Sequence, residues 1–66
     1  MAEYRSELRK YRLLADLTQE QLGDLVGVRR ETIGRLENAQ YNPSLKLAVD
    51  ISRVLNVPIE KIFIFN

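Results

Sequence analysis

Two adjacent arginines, Arg29 and Arg30, stand where the apolar spacing predicts the start of a short helix. The amino terminus of a helix is the positive end of its dipole, so a cation there costs up to about 1 kcal/mol. An arginine side chain binds phosphate oxygens, or O6 and N7 of guanine, through paired hydrogen bonds. The two arginines therefore indicate a surface that receives an anion such as DNA; the alternative is that both are merely solvated.

Further along the same helix, four residues follow i, i+3, i+4 and i+7 spacing and are predicted to share its outward face: Glu31, Gly34, Arg35 and Asn38. Arg35 suits contact with a base or a phosphate. Glu31 either accepts a hydrogen bond from cytosine N4 or holds an arginine in position. Thr32 either reaches a phosphate or lies at the edge of the core. Gly34 costs about 1 kcal/mol against Ala, and its missing side chain either lets the helix approach a groove or is a neutral substitution.

Another short helix is predicted before this one, and a tight turn at Gly27 joins the two. Thr18 and Gln21 have the spacing of a capping box, and Leu17 and Leu22 have that of a hydrophobic staple. The apolar spacing predicts that the following residues of the two helices point inward: Leu22, Leu25, Val26, Ile33 and Leu36. Helices this short need further elements behind them, which is how a helix-turn-helix unit is built.

In front of this pair, the pattern predicts a first helix over Glu3–Ala15, which Asp16 ends. Its inward stripe would be Tyr4, Leu8, Tyr11 and Ala15. Its basic residues are Arg5, Arg9, Lys10 and Arg12. Because a run of charge on a helix is usually a solvated face, we interpret Arg5, Arg9 and Lys10 in that way.

Behind the pair, a loop from Asn38 to Pro43 leads to a fourth helix over Leu45–Leu55, which Ser44 can cap. Asn56 can end this helix in left-handed geometry. A proline then opens a short fifth helix over Ile59–Ile62. The predicted inward stripe of the fourth helix is Leu45, Ala48, Ile51 and Leu55.

Near its end the chain has four consecutive apolar residues with high strand preference: Ile62, Phe63, Ile64 and Phe65. One alternative is that all four pack on the core of their own chain. The other, which we favour, is that they form the interface of a homodimer, for example as a strand that pairs across a two-fold axis.

The 66 residues suit one domain over residues 1–66 with a small core, since a chain of this size buries only about 60% of its unfolded surface. The sequence has no cysteine and no histidine, which argues against a zinc site. No apolar run reaches the ~18 residues of a membrane helix, and the polar start argues against a signal peptide. We therefore expect a cytoplasmic protein without metal, cofactor or small-molecule ligand. The net charge of +1 means that any positive charge for DNA must be local.

Residues 18–63, TQEQLGDLVGVRRETIGRLENAQYNPSLKLAVDISRVLNVPIEKIF, resemble the phage repressor and Cro-type helix-turn-helix family. The joint pattern that carries the resemblance is Thr18-Gln19, Gly27, Ile33, Leu36-Glu37-Asn38 and Asn42-Pro43-Ser44-Leu45. It implies an all-α fold of five helices, with the helix-turn-helix at helices two and three. The layout is closest to compact bacterial single-domain regulators, which implies a possible short C-terminal β-strand.

The resemblance also assigns roles to individual residues. The family's base-reading positions coincide with Arg29 and Arg30, and Gln19 matches a phosphate contact at the start of helix two. Asn38, Gln40 and Tyr41 resemble a loop that grips the DNA backbone, although Tyr41 suits packing against the fourth helix almost as well. Arg12 and Glu37 match a salt bridge that ties helix one to helix three.

Three residues depart from the family pattern. Gly23 replaces a common Ala, which we interpret as close packing of the two motif helices. Ala39 replaces a common Gly, which predicts a strained or reshaped turn after helix three. Arg29 replaces a capping Ser or Thr, which costs about 1 kcal/mol of helix stability.

These features predict a sequence-specific DNA-binding transcriptional regulator that acts as a repressor. It would bind a palindromic operator as a homodimer, through the major groove of double-stranded DNA. The alternative is an antitoxin-like or anti-repressor protein-interaction module, which the apolar tail would support. An enzyme is a weak third interpretation, because no residues resemble a catalytic constellation.

Overall fold

The computed structural model describes residues 3–65; residues 1, 2 and 66, at the ends of the predicted domain, lie outside the described residues. Within residues 3–65 there are five helices and two short strands. The helices are α1 (Leu8–Leu14), α2 (Gln19–Val26), α3 (Arg30–Glu37), α4 (Leu45–Leu55) and α5 (Ile59–Ile62). The strands are β1 (Tyr4–Ser6) and β2 (Phe63–Phe65). The predicted five-helix architecture with a C-terminal strand is confirmed.

Local signals fix where α2 and α4 begin and where α2 ends, as the sequence predicts. The Thr18 hydroxyl accepts a hydrogen bond from the Gln21 amide at 3.0 Å, and the Gln21 side chain accepts one from the Thr18 amide at 2.9 Å. Gly27 ends α2 with a φ of 77°, which glycine adopts without strain. The Ser44 hydroxyl caps α4 by accepting from the Leu47 amide at 3.1 Å. These local signals set the length and entry angle of both helices.

The turn between α2 and α3 packs directly on Gly23. A Cβ atom here would lie 2.6 Å from the carbonyl oxygen of Val28 and 3.3 Å from the carbonyl carbon of Arg29. The first distance is shorter than any that a real Cβ atom tolerates against backbone. The close packing predicted for Gly23 is confirmed, and it sets where α3 begins relative to α2.

The first turn of the predicted helix one is a strand, so the prediction of a helix from Glu3 is wrong. Residues Tyr4–Ser6 pair antiparallel with Phe63–Phe65, with Tyr4 opposite Phe65. The Tyr4 ring meets Phe63 edge to face, with ring centroids 5.4 Å apart. Pairing with a segment at the far end of the chain outweighs the local helix preference. Helix α1 also ends before Ala15, which is exposed and does not extend the inward stripe.

The core lies between the helices and the inner face of the sheet. Its buried residues are Tyr4, Leu8, Leu22, Ile33, Leu36, Leu47, Ala48, Ile51, Leu55, Ile62 and Phe63. Besides Ala15, two residues predicted to be in the core are exposed instead, Leu25 by 59% and Leu45 by 79%. Helix α2 turns Leu22 and Gly23 inward, which leaves Leu25 on the outer side. The buried stripe of α4 begins at Leu47, so Leu45 in its first turn lies outside it.

The C-terminal tail packs mainly on its own chain. Ile62 is 0% exposed and Phe63 is 2% exposed, because β2 pairs with β1 and turns Phe63 into the core. Both residues were predicted to lie in a homodimer interface, and their burial corrects that prediction. Ile64 is half-buried and Phe65 is 62% exposed. Of the four residues predicted to form a dimer interface, these two are therefore the ones that a second copy could contact.

Replacing each of two helix glycines by alanine separates close packing from helix propensity. Gly23→Ala forces a methyl group against the Val28 carbonyl, so we expect the free energy of unfolding to fall by about 1–3 kcal/mol. Gly34→Ala meets only the Gln19 side chain, at 3.7 Å, so we expect a gain of about 1 kcal/mol from helix propensity. Urea unfolding followed by circular dichroism measures both changes. Equal effects at the two positions would contradict a packing constraint at Gly23.

Candidate nucleic-acid interface

Helix α3 presents its cations to solvent. Arg29, Arg30 and Arg35 are exposed, and Glu31 is exposed beside them. The ion pairs within residues 3–65 are Arg5–Glu7, Arg12–Glu37 and Lys46–Asp50. No carboxylate in that range therefore neutralises the three arginines, and their guanidinium groups are available to an external anion.

The start of α3, like the starts of α1 and α5, has no side-chain cap. Arg29 occupies the N-cap position with extended backbone, φ −77° and ψ 157°, and makes no side-chain capping hydrogen bond. The first amides of α3 are thus left without a side-chain acceptor at a place where the helix dipole is positive. Unfilled donors and two exposed arginines at one end of a helix favour binding of an anion there.

The other face of α3 is packed. Ile33 and Leu36 are fully buried, while Thr32 and Gly34 are half-buried at the boundary of the core. A Cβ atom at Gly34 would lie 3.7 Å from Nε2 of Gln19. Gly34 therefore lies at the junction of α2 and α3 and not squarely on the outward face that its spacing predicted, because the start of α2 leans on α3 at this point.

A buried carboxylate joins the first three helices. Glu37 at the end of α3 accepts hydrogen bonds from Nε of Arg12 and, at 3.3 Å, from Nη2 of the same side chain. The two side chains are only 9% and 6% exposed, so the salt bridge predicted for this pair is present and largely desolvated. Nη1 of Arg12 also donates to the Leu17 carbonyl at 2.8 Å. Arg12 thereby fixes the end of α1 to the entry of α2 as well as to α3.

Gln19 is part of the same network. Its Nε2 donates to Oε1 of Glu37 at 3.0 Å. A glutamine amide has two donor hydrogens and one acceptor oxygen, so this bond leaves one hydrogen and the oxygen for another partner. The amide is thus held in one orientation at the start of α2, where the backbone donors of that helix also face outward. A phosphate contact by Gln19 stays a prediction. The oriented amide keeps one donor hydrogen available for it.

The loop after α3 has a strained turn. Ala39 has a φ of 53°, in the left-handed region, as its replacement of glycine predicts. Asn38 and Gln40 are exposed on either side of it. Tyr41 is half-buried and packs against the core, so a packing role is favoured for it, although its predicted contact with the fourth helix stays a prediction. The structure thus offers Asn38 and Gln40 to a ligand more fully than Tyr41.

Two shallow clefts connect these residues along one side of the molecule. One is lined by Arg30 together with Gln19, Thr18 and the end of α1. The other is lined by Gln19 and Asn38 together with Arg9 and Lys10 of α1. The sequence alone indicates a solvated face for Arg9 and Lys10, whereas the structure places them in this cleft. Arg9 precedes Arg12 by one helical turn, and that spacing is the signal that could have placed it beside the interface.

The described surface offers guanidinium, amide and hydroxyl donors, which are groups that bind phosphate oxygens and base edges. Within residues 3–65, no three or more His, Cys, Asp or Glu side chains are grouped so as to hold a metal ion. In the same range, no helix is both long enough and apolar enough to cross a membrane.

Removing one member of the buried ion pair tests its structural role. Arg12→Met leaves the Glu37 carboxylate buried without its cation, so we expect a loss of about 3–5 kcal/mol in the free energy of unfolding. The double substitution Arg12→Met with Glu37→Met should recover much of that loss. The matched control is Lys46→Met, which breaks an exposed i, i+4 pair and should cost about 0.3–0.5 kcal/mol. Thermal unfolding of the three variants gives the comparison, and similar losses for Arg12→Met and Lys46→Met would contradict this role.

Known proteins resemble this chain in sequence and in fold. A helix-turn-helix family model matches residues 8–62, from the first residue of α1 to the last of α5. An uncharacterized HTH-type transcriptional regulator of Archaeoglobus fulgidus is 55% identical over 62 residues, which cover 94% of this chain and 87% of the relative. The restriction-modification controller protein C.AhdI from Aeromonas hydrophila has a TM-score of 0.73 at 31% identity, over 82% of this chain and 78% of that chain.

A third similarity concerns the fold alone. The P22 c2 repressor, solved in complex with synthetic operator 9T, has a TM-score of 0.77 at 24% identity, over 80% of each chain. Strands β1 and β2 lie outside the residues that the family model matches.

Proposed function

The chain belongs to the helix-turn-helix family, and from that membership we propose that it is a sequence-specific DNA-binding regulator of transcription. The relative from Archaeoglobus fulgidus is named a transcriptional regulator, and C.AhdI is named a controller protein. Both names support a regulatory role for a chain of this fold, at identities of 55% and 31%. Such a role would be exercised in the cytoplasm, on chromosomal DNA.

The observation that carries the proposal is the state of the arginines on α3. Arg29, Arg30 and Arg35 are exposed and have no carboxylate partner within the described chain, although acidic residues are almost as numerous as basic ones in the sequence. Glu31 lies in the first turn of α3, as the helix dipole favours, but Arg29 and Arg30 beside it are cations at a place where stability alone would favour further acids. Three unpaired guanidinium groups on one short helix suit a polyanion that also presents base edges, which is the major groove of DNA.

In the proposed complex, α3 lies in the major groove. Arg30, Glu31 and Arg35 read base edges, while Arg29 and Thr32 lie close to the groove wall. Gln19, Asn38, Gln40 and Tyr41 contact the phosphate backbone and set the register of the helix. Gly34, beside Gln19, lets the helix and the start of α2 approach the duplex together. Phosphate contacts position the protein, and the contacts of α3 discriminate between sequences.

We further propose that the chain acts as a homodimer on a palindromic operator. The exposed apolar ring of Phe65 and the half-buried Ile64 are the part of the tail that a second copy would cover. Two α3 helices related by a two-fold axis would enter successive major grooves ~34 Å apart. Bound over a promoter, such a dimer would block polymerase, so repression is the expected sign of control.

A second candidate function is a protein-interaction module of an antitoxin-like or anti-repressor kind. The observation in its favour is exposed apolar surface away from α3, at Leu14 by 74% and at Phe65 by 62%. The two functions differ in one measurable property. A regulator binds a particular duplex more tightly than random DNA, whereas an interaction module does not.

Selection of bound duplexes from a random pool, at moderate salt, tests the proposed function and the proposed symmetry together. We expect a palindromic consensus with half-sites one helical turn apart. Enrichment of a single half-site would contradict the dimer. Failure to enrich any sequence would contradict DNA-specific regulation and favour the interaction module.

The selected operator then allows the role of α3 to be measured. Arg30→Ala should weaken binding by about 1–3 kcal/mol, because a bidentate contact to a base or phosphate is lost. The matched control is Arg53→Ala, which removes an arginine that is also exposed, from the last turn of α4. Fluorescence anisotropy at fixed salt gives both affinities. Equal affinity of Arg30→Ala and the unmodified chain would show that the base-reading residues are assigned wrongly.

A further inference from the structure

Tyr4 is a buried tyrosine whose hydroxyl contacts residues that are far away in the sequence. It is 7% exposed, and its ring packs against Phe63 at 5.4 Å and Phe65 at 5.7 Å between ring centroids. Phenylalanine would fill this space equally well. The hydroxyl is therefore the part of the side chain that packing alone does not explain.

That hydroxyl bonds to the loop after α3. It lies 2.9 Å from the carbonyl oxygen of Tyr41 and 3.2 Å from that of Leu36, which are 37 and 32 residues away in sequence. Leu36 has a second donor, the Ala39 amide at 3.2 Å, whereas no other group of residues 3–65 donates to the Tyr41 carbonyl. The single hydroxyl hydrogen thus holds the end of the loop to the sheet. Burial raises the pKa of Tyr4, with a further contribution from Tyr41, so the hydroxyl keeps the proton it donates.

The segment that Tyr4 holds is the strained one. Ala39 sits at a φ of 53°, and two short-range bonds close the turn: its own amide to Leu36, and the Gln40 amide to the Arg35 carbonyl at 2.9 Å. A non-glycine residue stays in the left-handed region only where its surroundings hold it there. The anchor at Tyr41 lies two residues beyond Ala39 and fixes the exit of the turn.

We propose that Tyr4 is a positioning residue for DNA binding, whose hydroxyl fixes the loop 38–41 in the shape that presents Asn38 and Gln40 to the phosphate backbone. This inference rests on the proposed function, since it assigns a task within the same interface. The proposal also assigns a role to β1, because this strand places the Tyr4 hydroxyl beside the end of α3. The loop contacts phosphates and not bases, so Tyr4 governs affinity and leaves the choice of sequence to α3.

The test compares Tyr4→Phe with Tyr11→Phe, which removes the hydroxyl of a half-buried tyrosine that packs on the same core from α1. Tyr4→Phe keeps the ring between Phe63 and Phe65, so the variant should keep its circular dichroism spectrum. In the free protein, we expect hydrogen exchange of the Ala39 and Gln40 amides to accelerate about 2- to 10-fold, the range that loss of one hydrogen bond gives. Amides in the middle of α2 and α4 should be unaffected, as should all of these amides in Tyr11→Phe.

On DNA, Tyr4→Phe should bind the selected operator and base-substituted versions of it more weakly by the same factor. The slope of log affinity against log salt should stay unchanged, because Asn38 and Gln40 carry no charge and release no counterions from the DNA. Adding Asn38→Ala with Gln40→Ala to Tyr4→Phe should cost less affinity than the same pair costs in the unmodified chain, whereas additive losses would overturn the positioning role. Unchanged amide exchange in the loop would overturn the positioning role whatever the DNA result. Faster exchange with unchanged affinity would overturn its link to DNA, while failure of the unmodified chain to bind any duplex would instead overturn the proposed function.

Discussion

The ion pair between Arg12 and Glu37 lies where α1, α2 and α3 meet, and the geometry of the interface depends on it. Taking both charges out of water is expensive, and their attraction offsets this only when the remaining donors and acceptors are satisfied. Here they are: Arg12 also donates to the Leu17 carbonyl, and Glu37 also accepts from Gln19. A network of this kind tolerates one arrangement of the helices, so it defines their relative positions more than it adds to stability.

The same network divides the charges of α3 between two tasks. Glu37 faces inward and is neutralised by a partner on α1, while Arg29, Arg30 and Arg35 face outward and are left without one in the described chain. A chain with a net charge of only +1 can in this way present a local cationic surface. Gly23 also helps to fix the position of α3, because it lets the turn before α3 approach α2 closely. The arginines at the start of α3 are therefore held in a defined position relative to α2.

Much of the fold could be predicted because its signals are local. Thr18 with Gln21, Ser44, Gly27 and Asn56 each act within one turn of a helix, and each is found in the predicted role. The strand at Tyr4 could not be predicted, because its partner lies at the far end of the chain. Leu25 and Leu45 were placed wrongly for a related reason: the spacing gives an apolar stripe but not its edges, which depend on the packing of neighbouring helices.

The site shows the same division. The exposed arginines of α3 followed from helix spacing, and the Arg12–Glu37 bridge followed from the family resemblance. The bond from Gln19 to Glu37, the place of Gly34 and the link from Tyr4 to Tyr41 needed the folded chain, since each joins separate elements. The structure places Arg9 and Lys10 beside the interface, because they line a cleft together with Gln19 and Asn38.

Helix α3 is the proposed surface for the duplex. Amide chemical-shift mapping by NMR, with the selected operator titrated into the labelled protein, locates the bound surface residue by residue. We expect the largest shifts on Gln19 and on residues 29–41, with α5 little changed. Largest shifts on α4 and α5, with α3 unperturbed, would show that the duplex binds elsewhere.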